Sequence, residues 1–467
     1  MIGVSLFAAL VYFWARIRPA RARALVTAVS GLEPAPAVMY ACAAGLVCAF
    51  VAQVSILVFQ VWHENTPGWA WSQQLPLPVY NGQTGRIAYH RICSYAALAV
   101  ALLQTGFLGY LALAVQRRVP RALAVSGAVV ALLAIVALAT PAMSTTDPYE
   151  YAAASMIGWS AYAPPPGIFD GTAYAPIFPH IKLEGVLYGP LWLVFDIFEL
   201  GHVPSILGKL VTLRIVNAAL LFLFAGLLAR LRLSRAAIVA CLANPAVWYY
   251  SVVSPHADIE GLVLIAGAAL AVASRRPWFA LALVAVAGCF KLPYVVMGGA
   301  VFAGLRTAWQ RLGFWAGAIA VTLALTLALV GPHYLLGFGS YVSQSRNFTH
   351  ESAAGYWVIF AALAVAATTS LVATGRGISA AAWAFGQLGP LAAPWYLQWG
   401  IPFAMGTGAL TLFALSFPPG MVVSEPTFDL WPLPAVLIAG CGIAMVVDDL
   451  RSRRGTRREL EGRAPAG

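Results

Sequence analysis

Long apolar runs separated by short polar joints recur along the chain from end to end. About 20 apolar residues in a helix cross the ~30 Å hydrocarbon core of a bilayer. Runs near residues 37–61, 93–115, 122–141, 207–229, 236–253, 260–273, 312–331 and 353–374 reach or approach that length and predict membrane helices. None shows the alternation of polar and apolar positions that a membrane β-barrel requires. The pattern therefore predicts an all-α polytopic membrane protein. A short run at 3–15 predicts a first span, and 278–290 with 292–305 predict two half-length helices meeting at Lys291 and Pro293. Beyond 374 the pieces 378–392, 395–404, 408–418 and 431–447 are shorter, giving about fifteen membrane segments in all. The start of the chain lacks a basic stretch and a small-residue cleavage site, so no signal peptide is expected.

One stretch, from 142 to about 206, departs from the pattern. It opens with Ser144-Thr145-Thr146-Asp147-Pro148-Tyr149-Glu150-Tyr151, directly after the apolar run that ends at Pro141. It also holds Pro164-Pro165-Pro166 and many aromatics. The piece from Tyr188 to Leu200 is too short to span and carries Asp196 and Glu199, which predicts an amphipathic helix lying in the membrane interface. Irregular backbone cannot face lipid, so the remainder must pack on protein or line a wet cavity. No internal repeat is visible. The chain divides into N-terminal membrane helices (1–121), a larger membrane region (122–447) and a basic tail (448–467).

Composition agrees: 61% of the residues are hydrophobic and only 10% charged, against about 25% in a soluble chain. The net charge of +11 comes from arginines gathered in short joints, at 16–23, 117–121, 230–235, 275–276, 306–311 and 451–463. Such joints stay cytoplasmic, and their charge serves topology and anionic head groups rather than nucleic acid. This orientation puts the segment 142–206 and its carboxylates on the outer face of the plasma membrane. The six cysteines lie mostly within apolar runs without paired spacing, as small buried residues would, and give neither a disulfide framework nor a metal set.

In this topology the polar groups inside or beside spans share one face: Asp147, Glu150, Lys182, Glu184, His256, Asp258, Glu260, Lys291, His333, Arg346, His350 and the stretch Pro394-Trp395-Tyr396-Leu397-Gln398-Trp399. A carboxylate at the mouth of a membrane helix is costly unless it meets water, a pocket or a partner. Asp147 can be a general base for a hydroxyl, or a helix cap before Pro148. His256 and Asp258 can hold a sugar hydroxyl or phosphate, or cap the next helix; two ligands are too few for a metal. Lys291, between two half-helices, suits a lipid phosphate or simply reaches for the head groups. Arg346 is a second phosphate candidate. Lys209 and Arg214, at the outer end of a span, read best as partners of Asp196 and Glu199. The outer aromatics, including Tyr188, Trp395 and Tyr396, form an interface belt from which a sugar site would draw a few.

The order of short blocks resembles a known superfamily. Asp147-Pro148-Tyr149-Glu150-Tyr151 is followed by Tyr188-Gly189-Pro190-Leu191-Trp192, then Asn244-Pro245 with His256-Ala257-Asp258, Lys291-Leu292-Pro293, and Pro394-Trp395-Tyr396-Leu397-Gln398-Trp399. This looks like the GT-C superfamily of polyprenol-phosphate-sugar-dependent glycosyltransferases, and most like the bacterial α-1,6-mannopyranosyltransferases of lipoglycan assembly. The matching blocks run from about residue 140 to 405. Two positions differ: the family's acidic loop more often reads Asp-Val-Tyr-Ser-Tyr, and Ala257 stands where an Asn is usual.

The resemblance implies a GT-C-like helix bundle with an outer catalytic loop and an interfacial helix. It implies transfer of a sugar, mannose first, from a polyprenyl-phosphate donor to a glycan or glycolipid hydroxyl, with inversion. Asp147 would be the base, Lys291 and Arg346 would bind the donor phosphate, and Tyr149, Tyr188, His256, Asp258, Trp395, Tyr396 and Gln398 would contact substrate. No cofactor or metal is called for. A related transferase using lipid-linked glucose or arabinose is the nearest alternative. A lipid-glycan transporter, which would place its charges near the midplane in two related halves, is the alternative of another class.

Overall fold

The computed structural model describes residues 34–63, 75–78, 87–175, 186 and 188–336. The first span expected at 3–15, the loop with Arg346 and His350, the aromatic stretch with Trp395, Tyr396 and Gln398, and every segment beyond 336 lie outside the described residues. Among the described residues the chain is helical and has no strand ladder.

Three helices open the bundle: α1 (Pro36–His63), α2 (Ile87–Gln116) and α3 (Ala122–Ala139). Leu46, Phe50 and Leu57 of α1 share one apolar core with Leu108 and Leu111 of α2 and Leu133 of α3. Gly45 allows the close approach, because a Cβ there would meet the Phe107 ring at 2.7 Å. A hydrogen bond from Gln104 Nε2 to Gln53 Oε1 joins two buried polar side chains inside this apolar seam.

The short α4 (Asp147–Ile157) continues as a 3-10 turn over Gly158–Tyr162, and α5 (Pro190–Leu200) packs on it. The long α6 (Ile206–Arg230) follows. Next, α7 (Arg235–Leu242) and α8 (Pro245–Trp248) form a single apolar stretch bent by 48°. The bend is at Asn244-Pro245, where proline removes a donor from the ladder and the Asn244 side chain accepts from Ala246 N–H instead. A π turn at Tyr249–Val253 extends α8. The bundle closes with α9 (Asp258–Ala273), α10 (Pro277–Phe290), α11 (Pro293–Phe302) and α12 (Ala308–Val330). The two half-length helices expected around Lys291 are thus α10 and α11.

Four of these helices are long and apolar enough to cross a membrane, and the bent pair α7–α8 makes up to five. The chain is a membrane protein by that measure. Large apolar side chains face outward along it, such as Ile135, Ile215 and Leu327.

The helix expected to lie in the interface reverses its amphipathy. In α5 the carboxylates Asp196 and Glu199 point inward with Trp192 and Leu200, at 2% and 7% exposure, while Phe198 is 80% exposed. The positions separate by helical period: 192, 196, 199 and 200 share one face, and 194 and 198 the other. Its polar face meets protein rather than water.

Connectivity sorts the helix ends into two groups. The ends of α3, of the bent α7–α8 stretch and of α10, and the starts of α4, α6, α9 and α11, converge on the segments around 144, 256 and 291. Apart from that of α4, their opposite ends carry the arginine turns at 117–121, 230–235, 275–276 and 306. Three of these turns close α2, α6 and α9 alike. Arg118, Arg232 and Arg275 adopt left-handed backbone at φ 57°, 61° and 58°. The next residue's N–H then reaches back to Ala114, Leu228 or Ala271. Glycine is the usual occupant of that position, but a cation there also meets the negative end of the helix dipole.

Candidate active site

The residues singled out by spacing come together where the two loops 140–147 and 253–257 meet. Asp147 is the first residue of α4. Thr146 precedes it as N-cap without a side-chain cap bond, and Pro148 fixes the first turn. The Asp147 carboxylate is therefore not spent on capping. Its Oδ2 lies 3.4 Å from Nε2 of His256, and the Asp147 side chain is 28% exposed while His256 is enclosed. Thr145 Oγ1 is 3.3 Å from the same nitrogen.

The other imidazole nitrogen, Nδ1, is 2.7 Å from the Ser254 carbonyl and 3.1 Å from that of Tyr250. Both partners are acceptors, which assigns the ring proton to Nδ1 and turns Nε2 toward Asp147. The π turn supplies this geometry, since it carries Tyr250 and leads directly into Ser254. Ser254 Oγ in turn holds Ser144, at 2.6 Å from its N–H and 2.7 Å from its hydroxyl.

Two buried residues of α6 bind the loops together. Arg214 donates to the carbonyls of Thr140, Ala142 and Val253. Asn217, one turn on, donates to those of Ser251 and His256. Sequence reasoning assigned Arg214 to Asp196 and Glu199 and passed over Asn217. The structure corrects both: Arg214 is committed to three backbone carbonyls. The available signal was two polar residues three apart on an otherwise apolar span, a spacing that puts them on one helix face. Lys209 binds Ser155 Oγ and the Leu200 carbonyl, within electrostatic range of Asp196.

Asp258 begins α9, whose N-cap, Ala257, has no side chain for capping. Lys291 Nζ lies 3.1 Å from Asp258 Oδ1, both buried. Tyr294 donates to the Asp258 backbone and side chain. Lys291 is therefore not an open cation awaiting phosphate, as its place between half-helices had implied; Asp258 shares its charge. Nζ also stands 4.8 Å above the Tyr188 ring, and the Tyr188 hydroxyl meets that of Tyr151. Tyr149 differs from expectation as well. It is fully buried, and its hydroxyl is engaged with both backbone groups of Leu77, so it packs beneath the loop rather than facing a substrate.

The two charge centres act on one neighbourhood. Burial, and then the carboxylates of Asp147 and Asp258, hold the Tyr151 hydroxyl well above its ordinary range. Glu150 is half-buried beside Asp147; loss of water and then the Asp147 charge push its carboxyl up to about 8. Behind them, burial raises Asp196 well above the usual range, with Glu199 adding to it and Lys209 opposing. Burial pushes Glu199 up to about 7. Among the described residues no group of three His, Cys, Asp or Glu side chains is placed to hold a metal.

No protein-family model, no curated protein and no solved structure matches the chain.

Proposed function

We propose that this membrane protein is a glycosyltransferase that takes a sugar, mannose first, from a polyprenyl-phosphate donor and passes it to a hydroxyl of a glycan or glycolipid. The observation that carries the reading is the partly exposed Asp147 carboxylate backed by an enclosed, oriented His256. A base needs an accessible lone pair and a place for the proton to go. Asp147 takes the proton of the acceptor hydroxyl. The acceptor oxygen forms a bond to the anomeric carbon, the bond from that carbon to the phosphate oxygen breaks, and polyprenyl phosphate leaves with the electron pair. The configuration inverts. Nε2 of His256 faces Asp147 and can receive the proton next. Lys291, sharing its charge between Asp258 and the departing phosphate, moderates the charge that develops.

Location supports the same reading. The polar groups gather at the helix ends opposite the arginine turns, and arginine-rich joints mark the cytoplasmic side. On this reading the site lies on the outer face, where nucleotide sugars are absent and a lipid-linked donor is the natural supply. A transporter would concentrate these groups at mid-span in two related halves.

The test is transfer by the purified full-length protein from synthetic polyprenyl-phosphate mannose, glucose and arabinose, with analysis of the linkage made. Mannose transfer by wild type, lost in Asp147→Asn at unchanged protein level, is the expected result. Turnover of the Asn variant at the wild-type rate would remove Asp147 from the role of base.

A further inference from the structure

At the end of the bundle away from Asp147, a cavity of about 840 Å³ opens between the α2–α3 turn and the α6–α7 turn. Gln116, Arg118 and Arg121 line it from one turn, Ser234 and Arg235 from the other, with Leu123 at its rim. Its described lining includes three guanidinium groups and no carboxylate. Among the described residues no acid lies within ion-pair distance of these arginines. The first turns of two helices, α3 and α7, also reach the cavity through Ala122 and Ala236. Arg121, the N-cap of α3, gives that helix no side-chain cap bond. Ser234 Oγ accepts from Ala237 N–H and caps α7, so the start of α3 is the one that adds uncapped N–H donors, with partial positive charge, to a space already rich in cations.

We infer that this cavity binds a phosphate oxyanion, carried by an anionic phospholipid of the leaflet that this end of the bundle meets. Guanidinium forks match phosphate oxygens two at a time, and three around one cavity exceed what a single diester anion requires for neutrality. The volume suits a head group rather than a lone ion. Leu123, 51% exposed, lies in the first turn of α3, a helix whose exposed side chains, Leu132 and Ile135 among them, are all apolar and offer acyl chains a lipid-like surface next to the cavity. The site is separate from Asp147 and requires no particular reading of the chemistry there.

The experiment is native mass spectrometry of the delipidated full-length protein in neutral detergent, titrated with phosphatidylglycerol or phosphatidylcholine. Wild type should retain phosphatidylglycerol preferentially. Each cavity arginine contributes about fivefold in affinity, so Arg118→Gln with Arg235→Gln should weaken retention by about 25-fold. Arg276→Gln removes the same charge from another turn at that end of the bundle and should stay within about twofold. If the double variant fails to run as a single species, Arg235→Gln alone carries the test, with about a fivefold loss expected. Competition with millimolar inorganic phosphate separates the sources: displacement assigns the oxyanion to a soluble phosphate, and resistance assigns it to the lipid. Equal retention of phosphatidylcholine, or an equal loss in Arg276→Gln, would overturn the proposal.

Discussion

Nε2 of His256 faces Oδ2 of Asp147 at 3.4 Å, while Nδ1 of the same ring is held by the Ser254 carbonyl at 2.7 Å. With Nδ1 donating, a neutral ring would turn a lone pair toward the carboxylate. The Thr145 hydroxyl, 3.3 Å from the same nitrogen, can donate to that lone pair, and a proton delivered to Oδ2 by an acceptor hydroxyl would pass to it. In the proposed reaction His256 would act through Asp147, as a positioning residue. His256→Ala should lower kcat by about 10²-fold and leave the donor KM little changed. Initial-rate kinetics across a donor series check this; an effect confined to KM would remove the coupling.

The Lys291–Asp258 pair is buried on both sides. Removing one partner of a buried pair strands the other charge. Asp258→Ala should therefore destabilise the protein by about 3–5 kcal/mol, whereas Asp258→Leu combined with Lys291→Met should recover much of that loss. Denaturant unfolding in mild detergent measures it, and equal losses in the single and double variants would contradict the pairing.

Glu150 provides a pH signature. Its carboxyl is raised to about 8, so it is neutral at pH 7 and ionises as pH rises through 8. A carboxyl raised on folding contributes stability that is complete below its unfolded pKa and lost as pH rises through the folded value. The same ionisation places a second negative charge beside Asp147 and opposes an anionic donor. Wild-type kcat/KM for the donor should fall above about pH 8, and Glu150→Gln should stay level across that range. A pH–rate profile identical in both proteins would refute the assignment.

Gly189 sits where α5 meets α10. Its N–H donates to the Phe290 carbonyl at 2.8 Å, and a Cβ there would collide with the backbone carbonyl of Cys289. Backbone cannot yield as a side chain does. Gly189→Ala should cost about 1–3 kcal/mol and shift Tyr188 relative to Lys291. The melting temperature and the donor KM should both move; a variant with wild-type melting would show that the junction opens freely.

Much of the helical framework was readable from hydrophobic run length. The spans at 37–61, 122–141, 207–229 and 312–331 correspond to α1, α3, α6 and α12, because each must match the bilayer before any packing is considered. The proximity of Asp147 and His256 was foreshadowed only as a shared side of the membrane. Their pairing depends on the break at Asn244-Pro245 and the π turn, and hydropathy registers neither. The inward carboxylates of α5 escaped for another reason. A short helix with two acids looks the same whether its polar face meets water or protein; the exposed Phe198 decides it. Tyr149 shows a further limit: adjacency to Asp147 in sequence says nothing of side-chain direction, and here it points to Leu77.

The arginine-closed ends of α2, α6 and α9 have a consequence for depth. Guanidinium groups resist immersion in hydrocarbon, so these three ends fix a level at which the bundle floats. From that level α9 rises through its 16 residues, about 24 Å, less than the ~30 Å thickness of the acyl layer. In the proposed orientation, Asp258 at its head would lie below the opposite boundary, by about one helical turn. A free sugar nucleotide has no cause to sink there; a head group tethered to a lipid tail is already moored at that height.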